Sequence, residues 1–122
     1  MDRASVNAWV ARYERVWRED DRDALDTLFT PDVRYVTSPY DAPMDGIEAV
    51  RSFWSDPTPF TMTWSVVAVD PPYAVVRADV HYGGDRPREY RDLWLLRTAD
   101  DGRVVQFEEW PFAPSTRHPA AE

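Results

Sequence analysis

The chain has no cysteine among its 122 residues, which excludes disulfide bonds, cysteine metal ligands and thiol nucleophiles. It has no apolar run near the ~18 residues that a membrane-spanning helix needs. Its first residues, from Met1 to Ala4, lack the apolar core of a signal peptide. Together these absences predict a cytoplasmic protein without a membrane partner.

Basic residues are scarce relative to acidic ones, at 14 against 22, and the net charge is −8. Such a charge repels phosphate backbones, so nucleic acid is not an expected partner. Aromatic residues are abundant, with six Trp, six Tyr and five Phe. Since Trp is costly to leave in water, some of these rings are expected to line a cavity for a small apolar molecule.

Helical periodicity governs the N-terminal part of the chain. One apolar stripe with spacings of three and four residues predicts a first helix, and its members are Val6, Trp9, Val10, Tyr13 and Trp17. A short second helix, with Leu25, Leu28 and Phe29 facing inward, is expected to stop at Pro31. A short strand is predicted for residues 33–37.

A third helix is expected after a proline-containing loop. Asp45 and Glu48 have the spacing of a capping box, which predicts the start of this helix. The Asp56-Pro57 sequence predicts its end.

From Phe60 onward the apolar period becomes two, which predicts four long strands. They span residues 60–69, 73–82, 87–98 and 103–110. The short turns between them imply antiparallel neighbours. The sequence therefore predicts an α+β domain over residues 1–112, with three N-terminal helices packed into the concave face of a curved, mainly antiparallel sheet, and a flexible C-terminal tail over 113–122.

This order of elements resembles the SnoaL-like branch of the nuclear transport factor 2 superfamily over residues 5–112. The similar segments are WVARY (9–13), ALDTLFTPDV (24–33), DGIEAV (45–50), YRDLW (90–94) and DGRVVQFEEW (101–110). The resemblance implies a ketosteroid isomerase-like fold, a cone-shaped α+β barrel around the first helix, with a pocket inside. It also implies homodimers through the outer sheet face. The family includes isomerases, dehydratases, cyclases, epoxide hydrolases and binders, so it does not choose among them.

Three residues are candidate catalytic groups. The position of Tyr13 resembles that of the tyrosine that polarises a substrate carbonyl in ketosteroid isomerase relatives, and a buried phenol can donate a hydrogen bond to a developing oxyanion. Asp92 lies between Tyr90 and Trp94 on one strand face, where burial should raise its pKa and let its neutral form donate a second hydrogen bond. His81 could move a proton.

Each candidate also has a structural alternative. Tyr13 could be a core residue bonded to a backbone carbonyl, and Asp92 could form an ion pair with Arg88 or Arg34. His81 shares a strand face with Arg77 and Asp79. These three residues would form a polar cluster if that face pointed inward and surface or dimer-interface groups if it pointed outward.

The expected pocket wall combines aromatic rings with one carboxylate, at Trp17, Tyr35, Trp54, Tyr90, Trp94, Glu108 and Trp110, and Trp64 is a further candidate ring. Glu108 and Glu109 point to opposite faces of the last strand, so one of them faces inward. Glu108 shares its face with Trp110, whereas Glu109 shares its face with Phe107.

The catalytic base of the steroid isomerase relatives has no equivalent here. By the resemblance, the base lies nine residues before the glycine of the third helix, and that position is Thr37. Threonine does not abstract a carbon-bound proton at neutral pH, and Asp41 could substitute only if its loop folded inward. Two functions therefore stay open: a cofactor-independent isomerase, cyclase or dehydratase, or a non-catalytic ligand-binding or assembly domain. No metal motif is present in the sequence, and no cofactor is expected.

Overall fold

The computed structural model describes residues 1–54 and 58–116. Helix α1 (Arg3–Glu19) begins where the Asp2 carboxylate accepts a hydrogen bond from the Ser5 backbone N–H over 2.8 Å. It ends at Asp20, whose left-handed conformation (φ 48°) lets its N–H bond back to the last turn. The predicted apolar stripe is the buried face of this helix, although Trp17 is only half-buried.

The second helix is shorter than predicted, because a strand starts within it. A 3-10 turn (Arg22–Ala24) leads into α2 (Leu25–Leu28), and β1 (Phe29–Val36) follows at once. Phe29 and Thr30 are both buried at the start of β1. Pro31 does not stop the strand, because the pairing of β1 with its neighbour is irregular between Phe29 and Arg34, where a missing N–H is tolerated.

The third helix starts differently from the capping box predicted for it. Asp45 belongs to β2 (Met44–Asp45), where it pairs with Arg34. Gly46 precedes α3 (Ile47–Phe53) with φ 92°, and its N–H donates to the Val33 carbonyl over 2.7 Å. A β-strand that bonds to β1 therefore replaces the cap. The predicted helix end at Asp56 and Pro57 lies outside the described residues.

Four long strands form the predicted meander: β3 (Phe60–Asp70), β4 (Tyr73–Tyr82), β5 (Arg88–Thr98) and β6 (Val104–Phe112). The sheet order is β2-β1-β6-β5-β4-β3. β1 and β6 run parallel, and all other neighbours are antiparallel. The sheet is curved and mixed, mainly antiparallel as predicted, and the α+β barrel that the resemblance implies is not closed.

The helices cover the inner face of the sheet. The Trp9 indole N–H donates to the Leu28 carbonyl over 3.0 Å and joins α1 to α2. The guanidinium of Arg18 donates to the Phe60 carbonyl over 2.6 Å, and that of Arg3 donates to the Val66 carbonyl, so both ends of α1 are bonded to β3. None of the helices in residues 1–54 and 58–116 is long and apolar enough to cross a membrane.

The outer face of the sheet is not covered by any of the described elements. Leu93 and Leu95 are half-buried there, and Trp110 and Phe112 are exposed by 36% and 49%. The chain ends its described part in a 3-10 turn (Pro114–Thr116), and the rest of the predicted tail, residues 117–122, lies outside it. The flexible tail stays a prediction.

Candidate functional site

A cavity of about 310 Å³ lies between α1, β1, α3 and the inner face of the sheet. Its wall is mostly aromatic, and the lining residues are Tyr13, Trp17, Asp20, Tyr35, Thr37, Phe53, Trp54, Tyr82 and Glu109. They lie on or directly after α1, β1, α3, β4 and β6, so only the folded chain brings them together.

Two tyrosine hydroxyls meet at this cavity. The Oη atoms of Tyr13 and Tyr35 are 2.8 Å apart, and one hydroxyl donates to the other. Phe107 stacks on both rings, with centroid distances of 5.5 Å to Tyr13 and 4.7 Å to Tyr35. Burial raises the pKa of both phenols, and the charge of Glu109 raises it further. Both hydroxyls therefore stay protonated, and the one that accepts the bond between them keeps its own O–H available as a donor.

Glu109 is the carboxyl group in the wall of the cavity. It lies on β6 directly opposite Trp94 on β5, and the Trp94 indole N–H donates to its Oε2 over 3.1 Å. Burial raises the pKa of Glu109 to about 8, with a further contribution from the nearby charge of Asp92. A carboxyl group with such a pKa can both give and take a proton near neutral pH.

Asp92 is the acidic neighbour of Glu109, and its charge raises the pKa of Glu109. Asp92 is only 6% exposed, and burial raises its pKa to about 6. Its Oδ1 has no hydrogen-bond partner within residues 1–54 and 58–116. Because the two carboxyls interact strongly, they titrate as a pair, and burial together with mutual repulsion favours one shared proton near neutral pH.

Glu109 also lines a second cavity of about 180 Å³. The lining residues of this cavity are Trp17, Val80, Tyr82, Arg88, Tyr90, Asp92, Glu109 and Pro111. Trp17, Tyr82 and Glu109 line both cavities, which are therefore adjacent to each other. The acid pair therefore spans two compartments, with Glu109 reaching the larger one and Asp92 only the smaller one.

The structure distributes the candidate residues among these compartments. Tyr13, Trp17, Tyr35 and Trp54 line the larger cavity. Tyr90 and Asp92 line the smaller one, so Tyr13 and Asp92 do not share a cavity wall, and their joint action on one oxyanion stays a prediction. Glu109 is the carboxyl residue that lines both cavities.

Two of the expected wall tryptophans lie elsewhere. Trp94 is fully buried, and its ring centroid is 5.1 Å from that of Tyr13 and 5.6 Å from that of Phe107. It therefore packs in the core and donates a hydrogen bond to Glu109 in the cavity wall. The Trp64 indole N–H donates to Asn7 over 3.1 Å, and Trp64 lines neither cavity.

The structure places His81 on the outer face of the sheet, which is the outward alternative that the sequence left open. His81 lies on β4 with Arg77 and Asp79, opposite in facing to the buried Ala78 and Val80. Its side chain is 60% exposed, and its Nε2 is 3.2 Å from Glu89 across the outer face. The alternation of β4 is unbroken up to Tyr82, so His81 cannot turn inward.

Glu108 and Trp110, which were expected in the pocket wall, line neither of the two cavities. Both face outward, and the Trp110 indole N–H donates to the Glu108 carboxylate on the outer surface. The inward residue is Glu109, which shares its facing with the buried Phe107. In the sequence, alternation with Phe107 favours Glu109 as the inward residue, whereas alternation with Val104 favours Glu108.

Thr37 lines the larger cavity at the position where the relatives have a base. Its hydroxyl donates to the Asp41 carboxylate over 3.0 Å, and Asp41 itself is exposed and absent from the described lining. Asp20, Phe53 and Tyr82 also line the cavity, although sequence reasoning did not select them. Tyr82 had a signal, because it alternates in step with Ala78 and Val80.

A helix-covered, curved sheet with an aromatic cavity and an internal acid pair defines a small α+β domain of the kind that binds or transforms small molecules. Residues 10–107 match the sequence profile of the SnoaL-like domain. The chain therefore belongs to the SnoaL-like domain family, within the nuclear transport factor 2-like superfamily. No curated protein matches the sequence.

Solved structures with the same fold have diverse activities. The epoxide hydrolase/cyclase-like enzyme SalBIII, which acts in pyran ring formation in salinomycin, is 16% identical, with a TM-score of 0.75 over 87% of this chain and 89% of that one. A ketosteroid isomerase-like protein from Erwinia carotovora atroseptica is 20% identical, with a TM-score of 0.67 over 92% of this chain and 97% of its own. A computationally designed 17-OHP binder is 20% identical, with a TM-score of 0.69 over 84% and 89%. At these identities the similarity shows the fold alone.

Proposed function

We propose that this protein binds a small, largely apolar, oxygen-bearing molecule in the larger cavity and transfers a proton to or from it without a cofactor. The observation that carries the proposal is the position of Glu109, a buried carboxyl in an aromatic wall that also holds the hydroxyl pair of Tyr13 and Tyr35. A proton carrier and an oxygen-binding donor thus line the same small space. Isomerisation, cyclisation and dehydration all need these two groups.

The proposed step begins with the carboxylate of Glu109 taking a proton from a carbon next to a carbonyl group. The electron pair of that C–H bond moves toward the carbonyl oxygen, which becomes negative. The tyrosine whose O–H is not engaged with its neighbour donates a hydrogen bond to that oxygen. Glu109, now protonated, returns the proton to another carbon or to the oxygen, which regenerates its carboxylate. Asp92 acts through Glu109, because its charge disfavours the ionised form of its neighbour.

The test is proton exchange at the carbon next to the carbonyl of 1-tetralone, a compact aromatic ketone, followed by NMR in D₂O. We expect exchange above the buffer rate that rises with pH up to about 8, where Glu109 ionises. Glu109→Gln should reduce the catalysed rate at least about 100-fold. The matched control is Glu108→Gln, which makes the same change on the opposite face. Equal rates in these two variants would refute the role of Glu109.

The second candidate function is binding without catalysis. Thr37 in the place of the relatives' base favours it, and the designed 17-OHP binder shows that this fold can serve as a binder. In that case ketones should raise the melting temperature of the protein without any exchange above the buffer rate. The same NMR samples distinguish the two functions.

We also propose that the chain forms a homodimer through the outer face of its sheet and works in the cytoplasm. Leu93, Leu95, Trp110 and Phe112 form the apolar part of that face. Exposed apolar patches of this kind are typical of protein interfaces. The cytoplasmic assignment rests on the absence of cysteine, and cell fractionation checks it.

A further inference from the structure

The described lining of the larger cavity contains acidic side chains but no basic ones. It comprises six aromatic rings, Thr37 and two carboxyl side chains. The carboxyls belong to Asp20, which is exposed, and to Glu109, which is buried. An anionic ligand would therefore find like charge and no opposite charge in this wall.

The rings favour positive charge for a separate reason. The face of an aromatic ring is electron-rich and attracts a cation within about 6 Å of its centroid. One ring of the wall already holds a cation from the chain itself, since the Arg88 guanidinium lies 4.5 Å from the centroid of Tyr82. Arg88 lines the smaller cavity, and it is the one basic side chain among the described residues around both cavities.

Glu109 is a buried acid without a positive partner among the interactions that shift its pKa. The groups around it come from four elements: Tyr13 on α1, Tyr35 on β1, Tyr82 on β4, and Asp92 with Trp94 on β5. Asp79, whose charge acts on Asp92, adds further negative charge. A cation in the cavity would supply the missing countercharge.

We infer that the larger cavity is selective for ligands with a positive charge, namely a protonated or quaternary amine on an apolar skeleton that also carries a carbonyl or hydroxyl oxygen. The hydroxyl pair of Tyr13 and Tyr35 receives the oxygen, and the aromatic wall with Glu109 and Asp20 receives the ammonium group. The inference rests on the proposed function in that it assigns the ligand to the same cavity. It concerns affinity and not turnover.

Binding of such a ligand has a signature that a neutral ligand lacks. An ammonium group beside Glu109 favours the carboxylate form, so the raised pKa of Glu109 falls and the complex releases a proton near pH 7. A neutral ligand removes water from the cavity without adding charge, so it keeps Glu109 protonated. Proton release on binding therefore reports the cation directly.

The experiment compares two probes of the same shape, the 4-trimethylammonio and 4-tert-butyl derivatives of acetophenone, which differ by one charge. Isothermal titration calorimetry at pH 7, in two buffers with different ionisation enthalpies, gives the affinity and the number of protons released. We expect the cation to bind at least tenfold more tightly and to release up to one proton, whereas the neutral probe releases none. Equal affinities, or no binding of the cation at millimolar concentration, would overturn the inference.

Two variants make the test specific to the cavity. Glu109→Gln should abolish proton release and most of the preference for the cation, whereas Glu108→Gln on the outer face should keep both. Asp20→Asn, at an exposed position with little influence on folding, should reduce the affinity for the cation two- to threefold. A preference that survives in Glu109→Gln would overturn the inference. If only the proposed catalysis fails, the ketone will not exchange protons above the buffer rate, but the protein will still prefer the cationic probe.

Discussion

The indole N–H of Trp94 donates to Oε2 of Glu109 over 3.1 Å, directly across the β5–β6 ladder. This bond holds a buried acid at the wall of the cavity and disfavours its protonation, against the larger effect of burial. Trp94 is thus a core residue with a direct influence on the proton affinity of the site.

Trp94→Phe should raise the pKa of Glu109. The substitution removes a hydrogen bond that favours the carboxylate, and such bonds affect the pKa by about one unit. The titration of ¹³C-labelled glutamate carboxyls by NMR measures the change. Trp64→Phe is the matched control, because the Trp64 indole donates to Asn7 instead. An unchanged or lower pKa of Glu109 in Trp94→Phe would contradict this account.

The stability of the protein should fall as the pH rises through the range in which the acid pair ionises. The folded state binds protons more tightly than the unfolded chain at Asp92 and Glu109, so the free energy of unfolding decreases between about pH 4 and about pH 8. The glutamine in the Glu109→Gln variant does not ionise in this pH range. This variant should be more stable than the wild type at pH 8.5, by a few kcal/mol at most, roughly what the raised pKa corresponds to.

Urea denaturation at pH 5 and pH 8.5 measures this effect. At pH 5 the two proteins should differ little, because Glu109 is protonated in the wild type. Glu108→Gln should follow the wild type at both pH values. A Glu109→Gln protein with the same loss of stability between the two pH values would show that Glu109 does not titrate there.

The hydroxyls of Tyr13 and Tyr35 should behave as one unit. Either single change to Phe leaves the other hydroxyl buried without its partner, at a cost of about 1–3 kcal/mol in stability. The double change removes both polar groups and should cost less than the sum of the single changes. Denaturant unfolding of the four proteins gives this coupling energy. Strict additivity would mean that the two hydroxyls do not bond to each other.

Gly46→Ala should destabilise the protein by about 1–3 kcal/mol, because φ 92° and ψ 151° lie in a region that only glycine occupies readily. Steric contact is a minor factor, since an added Cβ would be 3.7 Å from the Pro31 carbonyl oxygen. The control is Gly83→Ala, where the Cβ meets a similar neighbour at 3.8 Å without a positive φ. Equal thermal shifts in the two variants would contradict the conformational explanation.

The proposed dimer predicts that Leu93→Glu lowers the association state measured by sedimentation equilibrium. A charge at the centre of an apolar interface costs far more there than in water. Thr61→Glu, at an exposed position on the outer face of β3, should leave association unchanged. A wild-type protein that stays monomeric at high concentration would refute the dimer.

The sequence by itself determined the elements that depend on local period. The stripe from Val6 to Trp17 defines one helical face, and the alternation after Phe60 defines four strands, because both patterns repeat many times within a short segment. The start of β1 and the position of Asp45 were not predictable in this way, since both depend on backbone pairing with distant strands.

Only the tertiary structure decided which acid faces the cavity. Val104 and Phe107 are both buried, although their positions differ by three in a strand whose side chains alternate with a period of two. A register shift in the β5–β6 ladder, between Arg97 and Thr98, accommodates the extra residue. Counted from Val104, Glu108 would face inward, whereas after the shift Glu109 does. The abundance of tryptophan predicted a cavity. The register shift in the β5–β6 ladder determined that Glu109 is the acid that faces it.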